Sequence, residues 1–277
     1  MSIVFNADDH SYTSIEGEAI DWISVTTLVS HFKKPFDSKK VADKVSKNKR
    51  SKWYGIEPKN IQAIWDAEAY RAVTLGTFYH NQRESDICSH ASMERDGTTI
   101  QVFTPSSLSD GKKIALSQKL EPGIYPEHMV YLKSVGICGQ SDLVEVVNGK
   151  VNIIDYKTNK EIKKQSYVDW EGKSEKLMPP VSALDDCNFT HYALQLSIYM
   201  YIILKHNPKL KAGRMYIHHV SFEQEAENEW GYPVVKTDSN GDPIVKEVVP
   251  LLIPYLIDEV LAIMHYLHDN KFKIKKK

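Results

Sequence analysis

The sequence predicts an α/β protein with a central mixed β-sheet flanked by α-helices. Two apolar runs rich in β-branched residues, 137–147 and 151–157, are joined by an Asn-Gly dipeptide, which between such runs is a strong sign of a β-hairpin. Residues 189–205 and 251–270 carry apolar side chains in helical patterns. Helices flanking a sheet that contains a hairpin define the predicted class.

The N-terminal part is predicted to contain short strands followed by helices. Residues 3–23 are expected to form short strands around turns, and the segment SVTTLVSHF favours a short helix capped by Ser24. Residues 37–57 are polar and rich in lysine, which fits either a solvated helix or a loop. Pro58 begins a long helical pattern that extends to about His90.

The remainder of the chain alternates between predicted strands and helices. Residues 99–103 and 125–133 are predicted strands that precede the hairpin. After the hairpin we expect a polar connection, an apolar helix, a strand, a turn and a final amphipathic helix with Pro254 in its first turn: residues 161–186, 189–205, 212–222, 238–243 and 251–270. No internal repeat and no Pro/Gly/Ser-rich linker stands out, so residues 1–277 are predicted to form a single domain.

Composition sets broad limits on function. The 277 residues are 42% hydrophobic and 26% charged, and the formal net charge of -1 gives no global sign of nucleic-acid binding. A basic groove balanced by acidic groups elsewhere remains compatible with that value. Cys88, Cys138 and Cys187 form no CxxC pair, which excludes a cysteine-rich metal framework within one chain and favours a cytoplasmic protein. Neither a signal peptide nor a membrane span is predicted.

The strand VNIIDYK ends in a cluster of charged residues. Asp155 and Lys157 are two residues apart, so their side chains share one face of the strand. Asp142 lies on the preceding strand, and the midpoint between the two aspartates is the Asn-Gly turn, which predicts that they meet at one end of the sheet. Adjacent carboxylates repel unless a cation separates them, which favours Mg²⁺ or Mn²⁺. The alternative is a structural ion pair, which needs only one aspartate.

Further polar residues lie within apolar patterns. His80 and Glu84 share a face of the long helix, and Glu127 interrupts an apolar strand. Gln195 and Tyr199 lie one turn apart on the apolar helix. Each has a structural alternative: a packing histidine, an edge-strand carboxylate and an internal hydrogen-bond network.

The motifs GTFYH, GQSD, IIDYKT and QLSIY, with Glu127 between the first two, resemble the RecB-like branch of the PD-(D/E)XK nuclease superfamily. They follow that order over residues 76–199, and the branch includes the mitochondrial genome maintenance exonuclease and small phage exonucleases. The resemblance implies a restriction-endonuclease-like core. It also implies a metal-dependent DNA exonuclease that prefers single strands or ends and serves recombination, repair or replication.

The resemblance also implies roles for individual residues. The implied ligands of the catalytic metal are His80, Asp142, Asp155 and the carbonyl of Tyr156. Lys157 would activate the attacking water, and Glu127 would be a carboxylate that contacts the metal's ligands or binds a second metal. The residues implied to orient the site or contact the DNA backbone are Glu84, Thr158, Gln195 and Tyr199. The cofactor would be one or two Mg²⁺ or Mn²⁺ ions without an iron–sulfur cluster, because three scattered cysteines cannot supply four ligands.

DNA is the expected partner, gripped by basic segments outside the catalytic cluster. Candidates are Lys160, Lys163, Lys164 and residues 33–52, with Trp53, Tyr54 or Trp170 as stacking platforms for unpaired bases. For each lysine run the alternative is a solvated face. An N-terminal extension of about 1–57 would help to form the DNA channel, and the catalytic core would span about 58–270. A structure-selective endonuclease and a catalytically silent DNA-binding protein remain alternative functions.

Overall fold

The computed structural model describes residues 3–6, 11–15, 20–115, 117–169, 171–270 and 274. The helices of this part are α1 Val25–His31, α2 Ser38–Lys47, α3 Pro58–Cys88, α4 Asn188–His206 and α5 Ile257–Asn270. The predicted cap of α1 is confirmed, because the Ser24 hydroxyl accepts a hydrogen bond from the Thr27 N–H at 3.1 Å. The predicted start of α3 at Pro58 is also confirmed. None of these helices combines the length and the apolar character that a membrane crossing requires.

The strands divide between a central sheet and smaller sheets. Those of the central sheet are β3 Ile23–Ser24, β8 Gly123–Leu132, β9 Ile137–Val147, β10 Lys150–Lys157, β11 Lys211–Phe222 and β14 Val245–Ile253. The others are β1 Ile3–Asn6, β2 Ser11–Ser14, β4 Ser92–Arg95, β5 Thr98–Gln101, β6 Ser106–Ser107, β7 Lys113–Ile114, β12 Gln224–Glu227 and β13 Pro233–Val235.

The central sheet is mixed, as predicted. Strands β8, β9 and β10 form an antiparallel meander, whereas β10 and β11 are parallel and are connected through α4. Strand β9 pairs with β10 as far as Leu143 and with β3 at Ile137 and Cys138. The part of β9 between these two pairings contains Asp142. It lies at the end of β10 that carries Asp155 and Lys157.

The predicted hairpin is confirmed with both turn residues in the left-handed region. Asn148 has φ 50° and Gly149 has φ 72°, as a type I′ turn requires. The pairing runs from Lys150 opposite Val147 to Ile154 opposite Leu143. In this register the next opposed positions are those of Asp155 and Asp142.

Helices cover both faces of the sheet. Val144 and Ile153 belong to the main apolar core, to which α4 contributes the fully buried Leu194 and Leu196. Tyr156 instead contacts Tyr79 of α3, with ring centroids 5.4 Å apart. Because successive strand residues point to opposite faces, α3 and α4 lie on opposite sides of β10.

The prediction of a helix over residues 251–256 is wrong. Residues up to Ile253 form the edge strand β14, paired with β11 from Met215 opposite Ile253 to Phe222 opposite Val245. Pro250 is compatible with this position because an edge strand has one unpaired side. The helix begins only at Ile257, after Pro254.

A small antiparallel sheet near the N-terminus has the strand order β2-β1-β7-β6. Phe5 is opposed by Tyr12 on one side and by Lys113 on the other. The residues before Pro58 therefore contribute to two sheets, because β3 lies in the central sheet. The predicted division into an N-terminal extension and a catalytic core stays a prediction.

Candidate active site

Three carboxylates lie in one row across adjacent strands of the meander. Pro126 opposite Leu143 and His128 opposite Ser141 flank the positions of Glu127 and Asp142. The β9–β10 register places Asp142 and Asp155 at opposed positions as well. Directly opposed residues project from the same face of a sheet, so the row brings the three acidic groups to one place.

Glu127 is held in an unusual backbone conformation. Its φ of 49° lies in the left-handed region, which residues other than glycine rarely adopt. The Gln140 side chain donates a hydrogen bond to the Glu127 carbonyl at 3.3 Å. In this conformation a ligand atom of Glu127, one of Asp142 and one of His80 all lie within 4.8 Å of one another. Such strain is typical of residues positioned for a function.

His80 reaches the end of the sheet from α3. Its Nε2 donates to the Tyr156 carbonyl at 3.1 Å, and its Nδ1 lies 3.4 Å from Asp142 Oδ1. Asp142 Oδ2 accepts a hydrogen bond from the Tyr156 N–H at 2.7 Å. The structure thus brings together three of the implied metal ligands, namely His80, Asp142 and the Tyr156 carbonyl.

Asp155 is buried beside Lys157, whose Nζ lies 2.5 Å from Asp155 Oδ2. The Asp155 side chain is 1% exposed and that of Lys157 is 19% exposed. Apart from this ion pair, the Asp155 oxygens have no hydrogen-bond partner in the described part of the chain. The Lys157 ammonium compensates Oδ2, whereas the buried Oδ1 has no donor among the described residues, which is destabilising unless a cation or a further donor compensates it.

Burial, and after it the charge of Asp142, determines the pKa values of the other two carboxylates in the row. Burial and the charge of Asp142 raise the pKa of Asp155 to about 6 and that of Glu127 to about 8, and Lys113 opposes the rise at Glu127. Burial lowers the pKa of His80, but the hydrogen bond to Asp142 and its charge outweigh this and raise that pKa to about 9. A bound cation would relieve the repulsion among the carboxylates.

The donor set fits a hard divalent ion. Carboxylates and a carbonyl oxygen are preferred ligands of Mg²⁺ and Mn²⁺. His80, Glu127, Asp142 and the Tyr156 carbonyl would hold such an ion. Asp155 is not part of the cluster of three ligand atoms that includes His80, and its implied role as a ligand stays a prediction.

A comparison with known families bears on this cluster. The family model described as the PD-(D/E)XK nuclease superfamily matches residues 59–265, which is most of the chain. The chain belongs to this superfamily. The match confirms the predicted superfamily, and the mixed sheet with its flanking helices is consistent with the core of a PD-(D/E)XK nuclease. Nucleases of this superfamily use divalent metals, in agreement with the acidic cluster.

One solved structure similar to this PD-(D/E)XK chain is described as the crystal structure of SSO0001. The two share 12% sequence identity at a TM-score of 0.33, over 95% of this chain and 80% of that chain. This similarity carries no argument about function. No curated protein matches the sequence.

Helix α4 supplies two further residues of the predicted set to the nuclease site. Gln195 and Tyr199 line a cavity of about 570 Å³ together with His80 and Asp142. Gln195 Nε2 donates to the Tyr199 hydroxyl at 3.3 Å, and Tyr199 is 2% exposed. A side chain this deeply buried fits the implied orienting role better than a contact with DNA.

The remaining predicted residues of the nuclease lie around the same end of the sheet. Glu84 Oε1 and Oε2 lie 2.8 and 2.9 Å from Lys113 Nζ, so that carboxylate is already paired. Thr158 and Lys160 line a second cavity, of about 170 Å³, between α3 and β11. Sequence reasoning missed Lys113, because β7 is two residues long and has no hydrophobic pattern.

The aromatic residues suggested for base stacking differ in their exposure. Trp53 is 7% exposed, and its ring packs against that of Trp230 with centroids 5.7 Å apart, so the expected stacking role is wrong. Tyr54 is 52% exposed and stays a candidate. Trp170 lies outside the described residues.

Proposed function

We propose that this PD-(D/E)XK protein is a Mg²⁺- or Mn²⁺-dependent DNA exonuclease of the RecB-like branch. It prefers single-stranded DNA or DNA ends and acts in recombination, repair or replication. The observation that carries the proposal is the row of Glu127, Asp142 and Asp155 with Lys157 beside it. Phosphodiester hydrolysis requires compensation for added negative charge, and this cluster suits that requirement.

Individual residues of the chain have different roles in the proposed hydrolysis. A bound divalent ion supplies Lewis-acid polarisation and a water of lowered pKa. Lys157, fixed 2.5 Å from Asp155, donates to the attacking water and balances charge at the reacting phosphate. Tyr199, packed against Gly139 of β9, forms part of the wall of the cavity that His80 also lines.

The surface near α2 supports a preference for single strands. Residues 33–52 contain nine lysine or arginine side chains against two aspartates. Two exposed rings lie in or next to this segment in the sequence: Phe36 is 71% exposed and Tyr54 52%. Cations combined with exposed aromatic rings bind unpaired strands through phosphates and stacked bases.

A digestion panel tests the proposed activity. End-labelled single-stranded, duplex and circular DNA are incubated with Mg²⁺ or Mn²⁺ and either wild type, Asp155→Ala or Lys157→Ala. We expect wild type to degrade DNA with free ends and both variants to lose hydrolysis while they still bind DNA. The matched control is the ion pair of Lys176 and Asp185, 2.7 Å apart, whose alanine variants retain activity. Retained cleavage in both Asp155→Ala and Lys157→Ala would contradict the proposal.

The same panel separates the alternative functions. Nicking of circular single-stranded DNA indicates a structure-selective endonuclease, because a strict exonuclease needs an end. Binding without cleavage by wild type in either metal indicates a silent DNA-binding protein.

A further inference from the structure

The small N-terminal sheet forms one wall of the active-site cavity. Tyr12, Phe5 and Lys113 occupy opposed positions on β2, β1 and β7, so they form a row across three strands. All three line the cavity that contains His80 and Asp142. Among the described residues that line it, Lys113 alone has an ammonium or guanidinium group.

Lys113 is oriented by an acidic partner on α3. Its Nζ contacts both carboxylate oxygens of Glu84, which lies one helical turn beyond His80. The side chains of Lys113 and Glu84 are 26% and 23% exposed. The pair lies in the wall of the active-site cavity, so its ammonium group borders the space that a substrate would enter. An ammonium group has three donors, and two contacts with Glu84 leave a third for another acceptor.

We propose that Lys113 is a substrate-binding residue whose ammonium group binds a phosphate of the DNA strand, and that Glu84 positions it. This inference rests on the proposed nuclease function. The carboxylate row then has a lysine near each end, because Lys157 is paired with Asp155 and Lys113 lies near Glu127. A phosphate beside Glu127 and a phosphate beside Lys157 can belong to neighbouring positions of one strand. In this arrangement Lys113 binds a DNA strand that passes along the cavity wall formed by the N-terminal sheet.

The experiment measures binding of fluorescein-labelled oligo(dT) by anisotropy in EDTA, where a metal-dependent nuclease does not cut. For Lys113→Gln we expect weaker binding. We also expect a slope of log K against log salt that is smaller by about 0.7, the value for one phosphate contact on a single strand. Glu84→Gln removes the positioning contact but keeps the ammonium group, so it should keep the wild-type slope and lower the affinity less than Lys113→Gln does. Lys113→Arg should also keep it.

Two further variants complete the design. Lys112→Gln is the control for general charge, because Lys112 pairs with Asp110 at 2.7 Å. Thermal denaturation shows which variants are folded, and Lys113→Met replaces Lys113→Gln if the latter is not. With Mg²⁺, loss of the Lys113 charge should raise KM for oligo(dT) more than it lowers kcat.

Each result has one meaning. An unchanged salt slope for Lys113→Gln, or equal losses in Lys113→Gln and Glu84→Gln, overturns the role of Lys113. Wild type that binds oligo(dT) but cuts no DNA with Mg²⁺ or Mn²⁺ overturns the proposed nuclease function, while the slopes still decide the role of Lys113. Wild type that does not bind oligo(dT) overturns the role of Lys113, and the digestion panel then decides the nuclease function separately.

Discussion

At the scale of single residues, the close approach of α4 to β9 depends on Gly139. A Cβ atom at this position would lie 2.6 Å from Tyr199 Cε1 and 3.0 Å from the Tyr199 hydroxyl. The Tyr199 ring is buried and has little room to move. Glycine therefore sets the position of a ring that forms part of the active-site wall.

Gly139→Ala should destabilise the protein by about 1–3 kcal/mol, the usual cost of overpacking a core, and should lower nuclease activity because Tyr199 is displaced. Urea denaturation and the digestion assay measure the two effects.

The matched control is Gly76→Ala in α3, where the added Cβ would lie 3.4 Å from Thr158 Oγ1. Alanine should be tolerated there and gain about 0.5–1 kcal/mol in a helix interior. Equal losses in the two variants would contradict the explanation.

The sequence predicts some of the site's residues better than others. The proximity of Asp142 and Asp155 follows from their symmetry about a two-residue turn. The place of Glu127 depends on the β8–β9 register and on a left-handed backbone, and no local pattern encodes either. Lys113 escapes prediction because β7 pairs with β1, which is distant in sequence.

At the scale of elements, the β9–β10 hairpin determines which side chains face the site. A slip of one residue in its register would turn Asp155 and Lys157 to the opposite face of the sheet. The turn prevents such a slip because both of its residues have positive φ. The Asn148-Gly149 turn thus determines the position of the charged row, although it lies at the opposite end of β9 and β10.

Gly149→Ala tests this turn. A Cβ at Gly149 would meet no atom within 4 Å, so the cost arises from the φ of 72° alone. We expect a loss of about 1–2 kcal/mol in the free energy of unfolding, with activity per folded molecule retained. Asn148→Gly is the control and should change stability by less than Gly149→Ala, because glycine also adopts a positive φ. Urea denaturation that gives equal losses for both would contradict this account.

The same scale shows where pattern reading fails. The hairpin, α1 and α3 carry local signals, namely an Asn-Gly turn, a serine cap and a proline at the first helical position. Residues 251–256 carry an apolar run that fits a helix and a strand equally well. Residues 251–253 are part of strand β14 because they pair with β11. That pairing is a tertiary contact, which a local pattern does not reveal.

At the scale of the whole molecule, the acidic row links cation binding to folding. The row exists only when β8, β9 and β10 are paired, and it joins His80 only when α3 is packed on them. The unfolded chain has no such cluster, so a divalent ion binds the folded state preferentially and stabilises it.

Mn²⁺ should therefore raise the thermal midpoint of the protein. At about 100 times its dissociation constant, the expected gain is about 2.7 kcal/mol. Asp142→Asn should abolish the gain, whereas Asp110→Asn, which removes an exposed carboxylate paired with Lys112, should retain it. Thermal denaturation with and without Mn²⁺ measures the difference. A full gain in Asp142→Asn would place the ion elsewhere.

The meander has a consequence for the order in which the molecule assembles. Its carboxylates lie within residues 127–155 on strands joined by short turns, and hairpins of this kind form in about 1–10 μs. His80 comes from a separate helix, and the parallel partner β11 follows only after α4. During synthesis, α3 leaves the ribosome before the strands on which it packs. The cluster of His80 with the acidic row therefore forms only after the whole meander has been synthesised and α3 has packed on it.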